Sequence, residues 1–170
     1  MTEAALPRSG GLDKAEAARL LALVIPVALL GGALAFQYIG GLHPCEMCYW
    51  QRWPHGAAIV LAALAFTASA ASQRSRMLTL LAALAIAISG AIGVYHAGVE
   101  LGIFEGITTC TSTASGASNA ELLESIMKTP LVRCDQVQWS FLGISMAGWN
   151  AILSLGGAAA IFLLSRKARA

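Results

Sequence analysis

Pro44-Cys45-Glu46-Met47-Cys48-Tyr49-Trp50-Gln51-Arg52 is the stretch on which the reading of this chain turns. Its two cysteines form a Cys-x-x-Cys, and their surroundings decide the fold. A thioredoxin-like dithiol needs a soluble βαβ domain around it. Here long apolar runs flank the motif and leave no room for one. The other two cysteines, Cys110 and Cys134, lie in the one long polar segment, and no cysteine falls inside an apolar run. Thiols serving only as small core hydrophobes would not be sorted this way. Both pairs therefore read as sitting at the water-facing edge of a membrane.

Composition agrees. The chain has 170 residues, 57% hydrophobic and 12% charged, with a mean hydropathy of +0.68. A soluble domain carries about 45–50% apolar and about 25% charged residues. The shortage of charge says that most of the surface need not meet water. The 17 glycines suit membrane helices, where small residues let backbones approach. A formal charge of +2 without a basic stripe gives no footing for nucleic acid.

Four spans follow, at about 20–38, 55–72, 77–96 and 141–165, each near the length a hydrocarbon core demands and free of Asp, Glu, Lys and Arg in its interior. The expectation is an all-α membrane protein, a four-helix transmembrane bundle, with residues 1–170 as a single domain. Pro26 falls in the first span, where it can kink the helix. Ala33-Leu34-Ala35 also resembles a signal-peptidase site, but the apolar run continues past it.

Basic residues set the orientation. Arg8, Lys14, Arg19, Arg74, Arg76, Arg166, Lys167 and Arg169 fall on one side, which the positive-inside rule makes cytoplasmic. Both termini are then cytoplasmic, and the loops at about 40–54 and 97–140 lie outside with all four cysteines. In a bacterium that side is the oxidising periplasm, where disulfides persist. The expected location is the bacterial inner membrane. Within the second loop, Ser118-Asn119-Ala120-Glu121 has the form of a capping box, and Leu122, Leu123, Ile126 and Met127 follow at helical spacing before Pro130. This predicts a short amphipathic helix on the membrane surface, against the plainer reading of a polar loop.

The chemistry lies in the first motif. If Cys48 opens a helical turn, Arg52 lies four residues on, upon the same face. A fixed positive charge and the free N–H groups of a helix start both favour a thiolate. Pro54 implies either that the helix proper starts near Trp53 or that it is kinked. Tyr49, Trp50 and Trp53 read as an interfacial aromatic belt or as the lining for a flat cofactor. A zinc site would need two more sulfurs at ligand spacing, which Cys110 and Cys134 lack, so no metal is expected. Four cysteines allow three pairings, and two structural disulfides compete with a redox reading. Energetics separates these. A structural disulfide lies below about −300 mV and a strongly oxidising periplasmic dithiol carrier near −120 mV, so driving electrons from that carrier into such a bond would cost about 8 kcal/mol. An active chain needs exposed disulfides and a sink of higher potential. A membrane quinone is that sink, at the depth where Cys45–Cys48 sits.

These residues resemble the disulfide bond formation protein B (DsbB) family. Pro44, Cys45, Cys48 and Arg52 match its Pro-Cys-x-x-Cys with Arg four residues on, Cys110 and Cys134 its second outer pair, and the stretch from Cys134 to Met146 its entry into the last span. The likeness covers about residues 40–150. It implies a membrane thiol:quinone oxidoreductase that re-oxidises a periplasmic DsbA-like dithiol protein and passes electrons to ubiquinone or menaquinone. By that likeness Cys110 takes the partner, Cys134 is its mate, Cys45 exchanges with Cys134, and Cys48 faces the quinone. Arg52 and His96 then sit beside the quinone, and Glu100, one turn after His96, is placed to pair with it. Pro54 departs from the pattern. The loop at 97–140 carries Glu100, Glu105, Glu121, Glu124 and Asp135 against Lys128 and Arg133, a mild acidic bias for docking.

Other functions stand beside this one. A four-span transporter usually needs an ionisable residue within its spans, and the interiors show none. A scaffold would use the cysteines only as braces. The vitamin K epoxide reductase group shares four spans and a Cys-x-x-Cys, with its active pair in a different span order.

Overall fold

The computed structural model describes residues 13–106, 118–120 and 132–167. The chain forms helices α1 (Lys14–Tyr38), α2 (Glu46–Ala65) and α3 (Gln73–Glu100). A hairpin of β1 (Ser140–Phe141) and β2 (Ile144–Ser145) follows, then helix α4 (Met146–Lys167). Helix α3 packs against both α2 and α4, and α1 closes the other side against the same two helices. Cys110 and nearly all of the expected surface helix beyond residue 120 lie outside the described residues.

Three helices, α1, α3 and α4, are long and apolar enough to cross a membrane. Helix α2 is the exception, because Glu46, Gln51, Arg52 and His55 occupy its first half. Local chemistry explains the ends. Asp13 and Glu16 form a reciprocal capping box that starts α1 six residues before the apolar run. Ser72 caps α3 by accepting the Ser75 amide.

Two expectations are corrected. Of the two readings of Pro54, a helix start delayed to Trp53 is excluded, and the end near residue 72 is corrected. The second helix begins at Glu46 and runs through Pro54, ending at Ala65. The reason is a cap: the Cys45 sulfur accepts the Cys48 amide at 3.3 Å and opens the helix there. One carbonyl along from the one Pro54 vacates, Gln51 O accepts the Ser89 hydroxyl at 2.8 Å, a cross-helix contact of the sort that lets a membrane helix tolerate proline. The last helix, likewise, does not begin at Phe141. Leu142 and Gly143 adopt φ of 52° and 77°, so the chain turns back into a two-residue hairpin, pairing Ser140 with Ser145 and Phe141 with Ile144. Ser145 then caps α4 by accepting the Gly148 amide at 3.1 Å.

The lower half of the bundle is packed with small side chains. Ala18, Ala22, Ala58, Ala62, Ala82, Ile86 and Ile161 form one buried cluster. Alanine lets backbones approach where lipid supplies no hydrophobic drive. In the upper half, glycine does the same for α3 and α4. A Cβ on Gly93 would stand 3.0 Å from the Ala147 carbonyl oxygen and 3.2 Å from Asn150 Nδ2. That close approach delivers Asn150 to the site.

Candidate active site

Cys45 is buried at the N-cap of α2, and Cys48 sits in the first turn beside it, Sγ to Sγ 2.9 Å. The pair is electrostatically unequal. The Cys45 S–H donates to Cys48, which holds the Cys48 thiol below the usual range, helped by a hydrogen bond from the Cys45 backbone and by the Arg52 charge. The same hydrogen bond, with burial, pushes Cys45 far up. Of the two, Cys48 is therefore the readier to ionise and Cys45 the one that keeps its proton.

Arg52 is anchored away from bulk water. Its guanidinium donates to the Gln37 side chain and to the Ala33 carbonyl at 3.3 Å, both on α1, and lies 5.2 Å from the Tyr49 ring centroid. His96, near the end of α3, is buried with Nε2 3.5 Å from Cys45 Sγ. Its ring also hydrogen-bonds the Cys134 backbone. The pairing with Glu100 is present at 3.9 Å, while the other Glu100 oxygen accepts the Ser145 hydroxyl.

Cys134 is buried in the same cluster as Cys45, with Met47 and Val99. Neither periodicity nor spacing requires that meeting, since 89 residues separate Cys45 from Cys134 in the chain. Beside Cys134, Asp135 is held below the usual carboxylate range by the Arg133 guanidinium that donates to both its oxygens. Of the site residues expected from sequence, Cys45, Cys48, Cys134, Arg52 and His96 come together at one end of the bundle. Cys110 lies outside the described residues.

A cavity of about 420 Å³ opens beside Cys48. Its walls are largely apolar, with Leu29, Ala33 and Phe36 from α1 together with Trp139 and Trp149, and Cys48, Arg52, Gln51 and His96 are among the polar residues that line it. Trp139 packs on Phe36 with ring centroids 4.8 Å apart and against Phe141 at 6.3 Å. Tyr49, Trp50 and Trp53 do not line it and are exposed. A flat aromatic ring fits a pocket of this size and character.

Cys45 Sγ, Cys48 Sγ and His96 Nε2 lie within 4.8 Å of one another, close enough for a thiophilic ion to bridge. This donor set differs from the four cysteines considered from spacing.

The fold also reveals a network that sequence reasoning missed. The Gln51 amide nitrogen donates to the Met47 carbonyl at 3.1 Å and lies 2.9 Å from His96 Nδ1. Asn150 Nδ2 donates to Gln51 Oε1 at 2.7 Å and to the Ser89 carbonyl at 3.3 Å. His55 Nε2 meets both Asn150 Oδ1 and Ser89 Oγ at 2.9 Å. A signal was available: Gln51 and His55, like Asn150 and Ser154, recur four residues apart in otherwise apolar helices.

The model of the family described as "Disulfide bond formation protein DsbB" matches residues 15–164. A protein named Disulfide bond formation protein B from Methylococcus capsulatus is 35% identical over 153 residues, covering 85% of this chain and 90% of its own. One of the same name from Hahella chejuensis is 30% identical, over 75% of this chain and 79% of its own. An uncharacterized protein of Rickettsia prowazekii, RP370, is 26% identical over 84% of this chain and 83% of its own. No solved structure matches. This chain belongs to the disulfide bond formation protein B family, and so is a membrane disulfide oxidoreductase.

Proposed function

We propose that this DsbB-family chain re-oxidises a periplasmic DsbA-like dithiol protein and passes the electrons to a membrane quinone, ubiquinone or menaquinone. The chain is a single four-span domain of the bacterial inner membrane, termini in the cytoplasm and cysteine loops in the periplasm. The observation that carries this reading is the division of labour at one dithiol. Cys45 shares a buried cluster with Cys134, whereas Cys48 opens onto the apolar cavity with Arg52.

In this scheme a partner thiolate attacks Cys110, the Cys110–Cys134 bond breaks and its pair leaves on Cys134; the partner's second thiolate then resolves the mixed disulfide, so that the partner leaves oxidised and Cys110 and Cys134 are left reduced. Cys134 exchanges with Cys45, so that Cys48 leaves as a thiolate. Its thiol, held below the usual range, suits it to that role, because a more acidic thiol leaves more readily as the thiolate. A quinone bound in the cavity would supply a two-electron sink. Arg52 would hold the ring and stabilise negative charge developing upon it, already fixed in direction by Gln37 and the Ala33 carbonyl. His96, which lines the same cavity, borders the dithiol on the Cys45 side.

The test is anaerobic. Purified, reduced protein is mixed with a soluble ubiquinone analogue, and quinone reduced per protein is counted by absorbance. The expected result is stoichiometric reduction, lost to background in Cys48→Ser while the helical circular dichroism is unchanged. Rapid reduction by Cys48→Ser would remove Cys48 from the quinone step.

A further inference from the structure

Two backbone carbonyls orient the amides around His96. A carbonyl only accepts, so the Gln51 group 3.1 Å from Met47 O must be its NH2. By the same rule the Asn150 group facing Ser89 O is its NH2, which leaves Gln51 Oε1 to accept from Asn150 at 2.7 Å. Both amides are thus pinned, and each confirms the orientation of the other. The Gln51 NH2 then faces His96 Nδ1 at 2.9 Å, and a nitrogen that accepts a hydrogen bond carries no proton. The ring proton must sit on Nε2, the nitrogen 3.5 Å from Cys45 Sγ, which also serves the ring's bond to the Cys134 backbone and so lies between the two cysteines that exchange.

We propose that Gln51, held by Asn150, is a positioning residue that locks His96 as a neutral Nε2–H donor aimed at the Cys45 sulfur, so that His96 stabilises Cys45 as a leaving thiolate during exchange with Cys134. The exchange role rests on the electron path proposed above; the lock does not. Cys134 thiolate attacks Cys45 Sγ, the S–S bond to Cys48 breaks, and its electron pair leaves on Cys48. Cys110 thiolate then attacks Cys134, the Cys45–Cys134 bond breaks, and that pair leaves on Cys45. Two electrons have entered the Cys45–Cys48 pair, and Cys110–Cys134 is oxidised. No proton leaves the ring.

Cys45 needs this help. It is 3% exposed, so water cannot solvate a thiolate there. Its own cap supplies one donor, the Cys48 amide at 3.3 Å, and His96 Nε2–H supplies a second. An imidazole free to titrate would change charge near pH 6.5. A ring whose Nδ1 is occupied by an NH2 cannot take a second proton without breaking that bond. Among the described residues, the other titratable groups beside it are Cys48 from α2, Glu100 from its own helix and Cys134 from the segment before the hairpin, while neutral Asn150 of α4 acts on it through Gln51. Glu100 Oε1 stays 3.9 Å from Nε2. The same lock weighs against a metal between Cys45, Cys48 and His96, since Nε2 has no lone pair to give.

Long-range proton–nitrogen correlation spectra of reduced protein carrying nitrogen-15 histidine test the lock, with no quinone or partner needed. The His96 ring is expected to show one neutral tautomer, protonated at Nε2, from about pH 5.5 to 8, either side of the ordinary imidazole value. Gln51→Glu is expected to place a proton on Nδ1. A wild-type ring that titrates near pH 6.5, or carries its proton on Nδ1, overturns the proposal. The exchange role is read by stopped-flow oxidation of the reduced Cys110–Cys134 pair. Gln51→Met should slow it about tenfold and make it pH-dependent. An unchanged rate in that variant overturns the positioning role while leaving the quinone reading intact. Should Gln51→Met fail to fold, Asn150→Ser removes the pin from the far side and is expected to admit both tautomers; a single Nε2–H tautomer in Asn150→Ser counts against the lock.

Discussion

The two ends of this bundle are held together by different physics. The lower end is a dry cluster of alanines and isoleucines, with Ala22, Ala58, Ala62, Ala82 and Ile86 fully buried. The upper end is opened into a cavity and tied by directional bonds among Gln51, His55, Ser89, His96 and Asn150. Small-residue packing is non-directional and tolerates rotation of side chains it does not have. A hydrogen-bonded amide has one correct orientation. The lower end therefore sets the distance between helices, and the upper end sets which atom faces which sulfur.

Changes at the two ends should fail differently, and the largest effect belongs to the upper end. Cys45→Ala removes the sulfur that exchanges with Cys134, so oxidation of the second pair should fall to background. It also removes the main group that holds Cys48 below the usual thiol range. The pH midpoint for alkylating Cys48 with iodoacetamide is therefore expected to move up. A downward move would reverse the assignment of thiol and thiolate. Arg52→Met should shift that midpoint in the same direction but less, because Arg52 is a smaller cause, and should raise the KM for quinone roughly tenfold.

At the lower end, Ala62→Phe forces a ring into a fully buried alanine site and should cost about 1–3 kcal/mol of stability. Quinone reduction per folded molecule should stay unchanged, as read by thermal melting against turnover. Loss of turnover without loss of stability would show that the two ends are not independent. Gly93→Ala lies at the boundary and should have the smallest effect on stability, about 1 kcal/mol, since the clash at 3.0 Å asks for a shift of only a few tenths of an ångström. It should nonetheless lengthen the Asn150–Gln51 bond, visible as a second His96 tautomer in the nitrogen-15 spectrum.

Much of the frame was legible in the amino-acid order. Apolar run length marked α1, α3 and α4, because the length of a membrane helix follows from bilayer thickness. Arg52 one turn on from Cys48 followed from spacing, on the condition that Cys48 opens a helical turn. Helix ends were less legible. The start of α2 depends on a cysteine sulfur acting as a cap, a role that sequence preferences assign to Ser, Thr, Asp or Asn. The hairpin before α4 depends on Leu142 entering the left-handed region, which a leucine seldom does. The polar network leaves no mark in the charge pattern, because its members are two amides, a serine and two histidines.

By itself the sequence determined what is local: which stretches are apolar enough to leave water, where four thiols lie along them, and which side chains stand one turn from Cys48. Only the tertiary structure decided what is lateral. It seated Cys134 beside Cys45, turned Arg52 onto α1, and set Gln51 and Asn150 behind His96. The physical reason is that hydropathy and helical spacing act along the chain, while the meeting of α2, α3 and α4 depends on how closely Gly93 and the buried alanines let their backbones approach.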